Sequence, residues 1–493
     1  MNIIFLNPPF LPKYSRESRS PAVTKSGTLY YPMWLAYACG YLEKCGHHVK
    51  LIDAPAGDLS TDQIIPIVRD FAADMVVLDT STPSIYNDVE VGSAIKRALP
   101  AIFTTLVGVH VSALPLETLE LSRDIDAVVI GEYEKTLAEV AQILSGNKQQ
   151  QADLSSVLGL AFRADDGSLV RNDPRPYIDD LDAIPFVSQV YKKNLDISPY
   201  FYGHSRHPLV VIVTGRGCPF HCTYCVIPQT FQGHRYRKRS IESIVKEFIY
   251  IKDNFPGIKE IMIEDDTLTA DKKRCRELAE ALISTSANTI PWSANSRADV
   301  DYETMVLMRK AGCRLFCVGF ESGDQGILDN IKKSITLTKI ADFMTNARKA
   351  GIMVHGCYMV GNRGETKQTL EKTLAFAKKI NPDTAQFYPI MAYPGTSDYA
   401  YYKDKGWLVS DNFRKWLTDE GLHSSVVSNP DLTYDELVCF CDRARREFYL
   451  RPAYILAKLK QMITNPGESR RIVKAAGTFF KYLIKPSIKK VRL

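Results

Sequence analysis

Long apolar segments are missing from this sequence of 493 residues. No run reaches the roughly 18 consecutive apolar residues that a membrane-spanning helix requires, so we expect no such helix. The segment from Met1 to Asn7 has the pattern of a first β-strand and not of an export signal. The 11 cysteines lack the regular spacing of a disulfide framework. Together these absences predict a cytoplasmic protein.

Acidic residues are scarce near the carboxyl terminus. From Arg443 to Leu493, only Glu447 and Glu468 stand against 14 lysines and arginines. This tail therefore carries a charge of +12, while the whole chain carries +6 and the remainder −6. Such an uneven distribution predicts an anionic partner.

Residues 1–145 alternate short apolar runs with amphipathic stretches. This alternation predicts an α/β domain, a doubly wound, Rossmann-like parallel sheet with helices on both faces. Ligands of such sheets bind at the carboxyl ends of the strands. The residues expected at those ends include Asn7, Gly108, His110, Gly131 and Glu132. Residues 146–205 are expected to be a linker to the next domain.

Three cysteines, Cys218, Cys222 and Cys225, lie within eight residues of one another. Soft sulfur ligands at this C-x3-C-x2-C spacing favour an iron–sulfur cluster, zinc or copper(I). A structural zinc site is usually closed by four protein ligands, and His221 is the neighbour that would complete one. Three thiolates on a four-iron cluster instead leave one iron open for an external ligand. A non-catalytic iron–sulfur protein is the alternative without such a ligand.

Residues 206–400 contain six apolar strands that alternate with helices, which predicts a partial (β/α)6 barrel of the TIM type. Functional residues of such barrels lie at the carboxyl ends of the strands. The residues expected there are Glu264, Asp265, Asp266, Asn295, Arg297, Glu321, Ser322, Gly361 and Tyr393. Taken singly, Glu321 is more typical of a structural salt bridge, and the Asp265-Asp266 pair of a helix cap.

Taken together, the cysteine loop and the strand ends resemble the radical S-adenosylmethionine (radical SAM) superfamily. Gly319-Phe320-Glu321-Ser322-Gly323 matches the G-x-E-S-G pattern of that superfamily, and Arg363 replaces the proline of its G-x-P-G-E-T pattern. The resemblance implies a [4Fe-4S] cluster on the three cysteines and S-adenosylmethionine on the open iron. It also implies that Tyr224 lies near the adenine and that the strand-end residues bind the rest of the nucleotide.

The first domain resembles the cobalamin-binding domain that precedes many radical SAM domains. The resemblance rests on Leu6-Asn7-Pro8-Pro9 and on residues 108–115 and 126–134. It implies cobalamin as a further cofactor at the strand ends. The sequence lacks the D-x-H-x-x-G run that ligates cobalt in some of these domains, so the lower cobalt ligand stays undefined. A flavodoxin-like domain without cobalamin is the alternative.

The resemblance implies reductive cleavage of S-adenosylmethionine to a 5′-deoxyadenosyl radical, with electrons from an external donor such as flavodoxin or ferredoxin. With cobalamin it implies C-methylation of an unactivated carbon, while oxidative cyclisation and skeletal rearrangement stay open as alternatives. The arrangement is similar to a subgroup with hopanoid-lipid and bacteriochlorophyll-ring enzymes, which implies a lipid or other hydrophobic substrate. The further cluster cysteines of a tRNA methylthiotransferase are missing from the first domain.

Residues 401–493 are predicted to form a helical, basic domain. Its last helix sets apolar residues beside basic ones: Ile472, Val473, Ala476, Phe479, Phe480, Leu483 and Ile484 beside Arg471, Lys474, Lys481 and Lys485. This pattern favours peripheral contact with the inner membrane surface, and equally a helix packed on the barrel. No RNA-binding module is recognised, so nucleic acid is not expected. Most of the cysteines Cys313, Cys317, Cys357, Cys439 and Cys441 are expected to be buried apolar residues, with no second cluster.

Overall fold

The first of two large sheets lies in the amino-terminal part of the chain. The computed structural model describes residues 1–146 and 153–484, with the side chains of Pro466 and residues 478–484 excepted. The strands of the first sheet are β1 (Asn2–Asn7), β2 (His48–Asp53), β3 (Met75–Thr80), β4 (Phe103–Gly108), β5 (Ala127–Val129), β6 (Leu160–Arg163) and β7 (Leu169–Arg171). Their order in the sheet is β2-β1-β3-β4-β5-β6-β7.

The helices of this part cover the sheet. They are α1 (Met33–Lys44), α2 (Ala54–Gly57), α3 (Thr61–Asp70), α4 (Ile85–Ala98), α5 (Val109–Ala113), α6 (Pro115–Glu120) and α7 (Glu134–Gly146). Strands β1 to β5 pair in parallel, and all six residues of β3 are buried, as expected for a sheet covered on both faces. Within the predicted linker segment, β6 and β7 add an antiparallel edge to this sheet.

The second sheet is the predicted partial barrel. Its part of the chain contains β8 (Leu209–Ile212), β9 (Gly215–Arg216), β10 (Arg237–Lys238), β11 (Glu260–Ile263), β12 (Trp292–Ser296), β13 (Cys313–Glu321), β14 (Met353–Val360) and β15 (Thr384–Pro389). Six of these strands pair in the order β15-β14-β13-β12-β11-β8, all in parallel. Strands β9 and β10 form a separate antiparallel ribbon. Because the six strands are parallel and follow sequence order, their carboxyl ends lie on the same rim of the barrel.

Helices follow the barrel strands as predicted, and three more close the chain. They are α8 (Val187–Asn194), α9 (Ile241–Asn254), α10 (Lys272–Ser284), α11 (Tyr302–Lys310), α12 (Gln325–Asn330), α13 (Leu337–Ala350), α14 (Lys367–Ile380), α15 (Ser397–Asp404), α16 (Tyr434–Tyr449), α17 (Pro452–Thr464) and α18 (Pro466–Ile484). Many begin at a capping side chain; Ser240, for example, accepts a hydrogen bond from the Ser243 backbone. Within the described ranges, no helix combines the length and apolar character needed to cross a membrane.

The carboxyl-terminal helices cover the β15 side of the barrel. The Tyr449 hydroxyl at the end of α16 donates to the Ala385 carbonyl (2.7 Å) and accepts from the Ala385 N–H (2.8 Å). These two bonds satisfy an edge of β15 that would otherwise be open. Below them, Glu468 of α18 pairs with Arg314 of β13 at 3.1 Å, and both side chains are buried. The predicted carboxyl-terminal helices are therefore packed against the barrel.

Candidate functional site

The three clustered cysteines lie on the loop that joins β9 to β10. All three line a cavity of about 620 Å³. Gly217, just before the first cysteine, has a φ of +84°, and a Cβ there would lie 2.4 Å from the Arg235 carbonyl oxygen. Only glycine accepts this close approach, so Gly217 sets the base of the loop.

The spacing of these cysteines fits a cluster better than a single ion. Among the described residues, one group of His, Cys, Asp or Glu has at least three ligand atoms within 4.8 Å of one another, and it lies elsewhere. At least two of the sulfurs of Cys218, Cys222 and Cys225 are therefore more than 4.8 Å apart. Such a separation suits thiolates that bind different irons of one cluster.

Glu321 is held at the cavity wall by two side chains. Its Oε1 accepts hydrogen bonds from the Tyr224 hydroxyl and from Lys333 Nζ, each at 2.8 Å. Its Oε2 is buried without a hydrogen-bond partner. Glu321 has a φ of +63°, and a Cβ on Gly319 would lie 2.1 Å from Glu321 Oε1. The G-x-E pattern thus reflects a strained turn that aims one free carboxylate oxygen at the cavity.

Two more carboxylates with free oxygens lie beside the cysteines. Glu264 Oε2 and Asp266 Oδ2 are buried and lack hydrogen-bond partners. Burial raises the pKa of both carboxyl groups, and Arg19, which contacts Asp266 at 3.0 Å, opposes that shift. Arg19 comes from the loop between β1 and α1, so the first domain contributes to this wall.

These unpaired groups match the donors and acceptors of S-adenosylmethionine. Ammonium and hydroxyl hydrogens of a ligand would satisfy the free oxygens of Glu264, Asp266 and Glu321. Arg297 would supply a donor for the acceptor groups of the ligand, because its Nε has no hydrogen-bond partner. Its guanidinium lies 3.6 Å from the Phe220 ring centroid. Asn295 lines the same cavity. The residues present therefore fit the nucleotide.

Asp265, Ser322, Gly361 and Glu132 are among the predicted site residues that lie outside the lining of the large cavity. Asp265 accepts hydrogen bonds from the Thr214 backbone (2.6 Å) and hydroxyl (2.7 Å) and from Tyr236 (2.9 Å). The other three are also engaged: Ser322 with Thr373, Gly361 with Tyr402, and Glu132 with Arg237. Because these contacts use their polar groups, the four residues hold loops and domains together in this structure. Their direct contact with a cofactor stays a prediction.

Tyr393 lies where the two halves of the molecule meet. Its hydroxyl contacts the Ser20 hydroxyl at 3.2 Å, and its ring lies 5.9 Å from that of Trp416. It lines both the large cavity and a second, small cavity of about 20 Å³ at the strand ends of the first sheet. Tyr393, a predicted site residue on the loop after β15, thus borders both spaces.

The strand ends of the first sheet are polar and closely packed. Asp79 Oδ2 is buried without a hydrogen-bond partner, and burial raises the pKa of this carboxyl group to about 7, against the lowering effect of Arg16. Gly108 has a φ of +113°, and a Cβ there would lie 2.7 Å from the Thr80 carbonyl oxygen. Asn7 donates to Asp53 at 2.7 Å. The free acceptor on Asp79 and the glycine-lined edge fit the amide groups of cobalamin.

The space at this edge is much smaller than a corrin ring. The cavity of about 20 Å³ has room for a water molecule. Residues 16–19 of the first loop and residues 226 and 227 of the barrel are among those that line it. These segments also border the large cavity, which shares Ser18, Arg19, Val226 and Ile227 with the small one. Gly131 also faces the barrel, since a Cβ there would lie 3.7 Å from the Phe231 carbonyl oxygen.

His110 is placed as a packed residue. It is buried, its Nδ1 lies 3.1 Å from the Thr82 hydroxyl, and its ring meets that of Phe413 edge to face at 5.1 Å. Burial lowers the pKa of His110 to about 3, so the ring is neutral. In this structure His110 therefore packs between the two domains, and its contact with a cofactor stays a prediction.

Several residues of the site carried no sequence signal. Lys333 follows Glu321 by 12 residues, and Arg19 precedes Asp266 by 247, so only folding brings each pair together. The cysteine expectation also needs correction: Cys313 and Cys441 are buried, but Cys439 is exposed. Cys317 and Cys357 are partly exposed and line the cavity.

Two family models match this chain. The model of the Radical SAM superfamily matches residues 212–377, and that of the B12 binding domain matches residues 19–141. The chain is 33% identical over 432 residues to an uncharacterised methyltransferase of Pyrococcus horikoshii, which covers 87% of this chain and 90% of the relative. It is 30% identical over 379 residues to the anaerobic magnesium-protoporphyrin IX monomethyl ester cyclase of Rubrivivax gelatinosus, over 76% of this chain and 66% of the relative.

The fold agrees with that class. The structure of the radical S-adenosylmethionine methyltransferase TsrM from Kitasatospora setae, with cobalamin and a [4Fe-4S] cluster bound, superposes with a TM-score of 0.69 at 17% identity. The match covers 92% of this chain and 91% of that one. The chain belongs to the B12-binding radical SAM enzymes. Its cofactors are accordingly a [4Fe-4S] cluster, S-adenosylmethionine and cobalamin, as the sequence predicted.

Replacing Lys333 with methionine is expected to weaken S-adenosylmethionine binding. Lys333 Nζ holds Glu321 Oε1 in place and compensates its buried charge. A hydrogen bond to a charged group contributes about 1.5–3 kcal/mol, so we expect an increase in Kd of about 10- to 150-fold. Equilibrium binding to the anaerobic, cluster-containing protein measures it. Lys332→Met, at the exposed neighbour, is the control; equal affinities of the two variants would refute this role for Lys333.

Proposed function

We propose that this enzyme transfers a methyl group to an unactivated carbon of a lipid or other hydrophobic small molecule. The observation that carries the proposal is the lining of the large cavity. It includes Cys222 and Tyr224 of the cysteine loop and Glu321 at the end of β13. It also includes apolar residues of the carboxyl-terminal helices: Ile455, Leu459, Met462, Ile472, Ala475 and Ala476. An elongated apolar substrate would fit this space with its reacting carbon near the cluster.

The chain's own residues would orient the reactants and exclude water. When bound, the cluster and S-adenosylmethionine supply a 5′-deoxyadenosyl radical, and cobalamin supplies the methyl group. Glu321, held in place by Lys333, would bind the nucleotide through its free carboxylate oxygen. Arg19 and Tyr393 lie where the first domain meets the barrel, so they would close the reaction space from that side.

The similarity to the methyltransferase of Pyrococcus horikoshii supports methyl transfer. A second candidate, oxidative cyclisation, is supported by the similarity to the Rubrivivax gelatinosus cyclase. The products separate the two, because methylation adds about 14 mass units to the substrate and cyclisation removes two hydrogens. Neither similarity bears on the identity of the substrate.

An assay under strictly anaerobic conditions tests the proposal. The reconstituted protein, loaded with cobalamin, would be given S-adenosylmethionine, flavodoxin as the proposed electron donor, and a lipid extract from a strain that lacks the gene. We expect 5′-deoxyadenosine together with a new lipid species that is about 14 mass units heavier. 5′-Deoxyadenosine with a product lighter by two hydrogens would favour cyclisation, and no change in any lipid would contradict the proposed substrate class.

We also propose that α17 and α18 rest on the inner membrane surface. Apolar side chains on α17 are widely exposed, with Leu456 at 66% and Ile463 at 82%, next to cavity-lining Ile455 and Leu459. Exposed apolar residues beside an excess of lysine and arginine suit an anionic bilayer. Of the last predicted helix, the side chains of Phe479, Phe480, Lys481, Leu483 and Ile484, and the residue Lys485, lie outside the described part. The proposal therefore rests on α17 and the first half of α18.

Replacing Leu456 and Ile463 together with serine is expected to weaken binding to vesicles that contain anionic lipid. Burying one large apolar side chain contributes about 1.5–3 kcal/mol. If partial insertion yields roughly half of the gain from the two side chains, the double change should lower the partition coefficient at least about tenfold. Co-sedimentation with vesicles measures it. Ile249→Ser, at an exposed apolar residue of α9, serves as the control. Unaltered vesicle binding of the double variant would refute this surface.

A further inference from the structure

A second group of metal-binding side chains lies inside the barrel. Ligand atoms of Cys317, His355 and Cys357 all lie within 4.8 Å of one another. Cys317 is on β13, and the other two are on the adjacent β14. The register pairs Cys317 with His355 and Gly319 with Cys357. Because side chains alternate along a strand, His355 and Cys357 point to the same face, and all three residues line the large cavity.

We infer that Cys317, His355 and Cys357 bind one zinc ion inside the barrel, separate from the iron–sulfur cluster. Two thiolates and one imidazole are a ligand set found in catalytic zinc sites, where a fourth position stays open. Tetrahedral zinc with bonds of about 2.3 Å to sulfur sets two sulfurs roughly 3.8 Å apart. The ligand atoms need to approach by no more than about 1 Å, which side-chain rotation supplies.

The surroundings of His355 support this assignment. Its Nδ1 lies 2.8 Å from the Thr384 hydroxyl, and the ring also has a hydrogen bond with the Gln386 side chain. Because Thr384 holds Nδ1, Nε2 is the nitrogen that would bind the metal, with Gln386 as a neighbour. Metal-binding histidines usually make such a bond through their second nitrogen, because it fixes the ring. His204 stacks on His355 with ring centroids 4.9 Å apart. His204 is 8% exposed, lines the same cavity, and its Nε2 is buried without a hydrogen-bond partner.

The proposed zinc site uses other side chains than the nucleotide site but adjoins it. Cys357 pairs with Gly319, and a Cβ on Gly319 would lie 2.1 Å from Glu321 Oε1. The open zinc position would face the same cavity and take an oxygen or nitrogen donor, either water or a polar group of the substrate. This substrate contact rests on the proposed function, whereas zinc binding itself does not.

Metal analysis of the anaerobically purified, cluster-containing protein tests the inference. We expect about one equivalent of zinc in addition to the iron of the cluster. X-ray absorption at the zinc edge should show two sulfur neighbours at about 2.3 Å and one or two nitrogen or oxygen neighbours at about 2.0–2.1 Å. Zinc absent even after one equivalent is added, or a mass spectrum that shows a Cys317–Cys357 disulfide, would overturn the inference.

Variants of single residues show where the ion binds, and their iron content shows whether each variant is folded. Cys357→Ser should lower zinc at least tenfold and leave the iron content unchanged, whereas Cys313→Ala, at a buried cysteine of the neighbouring strand β13, should retain both metals. Thr384→Val keeps every ligand and should weaken zinc affinity about 10- to 100-fold in competition with a chelator. Zinc that persists in Cys357→Ser would refute the site.

The same samples separate this inference from the proposed function. 5′-Deoxyadenosine formation and lipid methylation are measured alongside zinc. Zinc present without any methylated lipid supports the metal site and counts against the proposed function. A methylated lipid from protein that cannot bind zinc supports the proposed function and overturns the metal site.

Discussion

The Cys222→Ala variant is expected to lose S-adenosylmethionine cleavage. Cys222 lies between the other two cysteines of the loop and lines the cavity with them. Removing one thiolate should prevent assembly of the cluster, and with it the electron that cleaves the nucleotide. Mutation of residues that only hydrogen-bond to a metal ligand lowers metal affinity or activity 10- to 100-fold. Removal of a ligand itself should therefore lower the cleavage rate at least about 100-fold. The rate of 5′-deoxyadenosine formation by reconstituted, reduced protein measures it.

Iron content and a second cysteine complete this experiment. Cys222→Ala should hold far less iron after reconstitution than the unaltered protein. Cys275→Ala removes a buried cysteine of α10 and should keep both the iron and the activity. Cleavage at the normal rate by Cys222→Ala would contradict the site assignment, whatever its iron content.

The Arg314→Met variant is expected to have the largest effect on stability. Arg314 donates to Glu260 at 2.8 and 3.0 Å and to Glu468 at 3.1 Å, and all three side chains are buried. Methionine would leave two buried carboxylates without their main partner. Breaking a buried ion pair costs about 3–5 kcal/mol in the free energy of unfolding. Denaturant unfolding, followed by a probe in the barrel, measures the change.

A surface ion pair provides the comparison. Arg97 pairs with Glu90 at 2.6 Å, but both side chains are more than half exposed. Arg97→Met should therefore change the free energy of unfolding by less than about 1 kcal/mol. Similar losses in the two variants would show that the Arg314 network is not what anchors α18 to the barrel.

The same network has a consequence at acid pH. Burial alone would raise the pKa of Glu468, but Arg314 and Arg471 lower it from 4.5 to about 2. A pKa that is lower in the folded state gives stability above pH 4.5 that is lost as the pH falls towards 2. In Glu468→Gln, the free energy of unfolding should fall less steeply over this range.

Local signals in the chain were sufficient to predict the repeated elements of the fold. Each apolar run such as Leu209–Ile212 forms a strand, and each amphipathic stretch such as Leu337–Ala350 forms a helix. The pairing of β6 and β7 with the first sheet was not predicted, because Leu169–Arg171 is short and only partly buried. Strand β7 pairs with β6, and β6 in turn pairs with β5, whose residues lie 31 to 35 positions earlier in the chain.

The sequence by itself determined the class of the enzyme, since the three cysteines and the G-x-E-S-G run lie within short segments whose spacing is chemically specific. The tertiary structure alone decided which side chains lie together in the wall of the large cavity. Lys333 reaches Glu321, Arg19 reaches Asp266, and Asp265 turns away to bind Thr214. It also joins Cys317 to His355 across two strands. The reason is physical: strand register and barrel curvature set these distances, and both arise from packing of the whole chain.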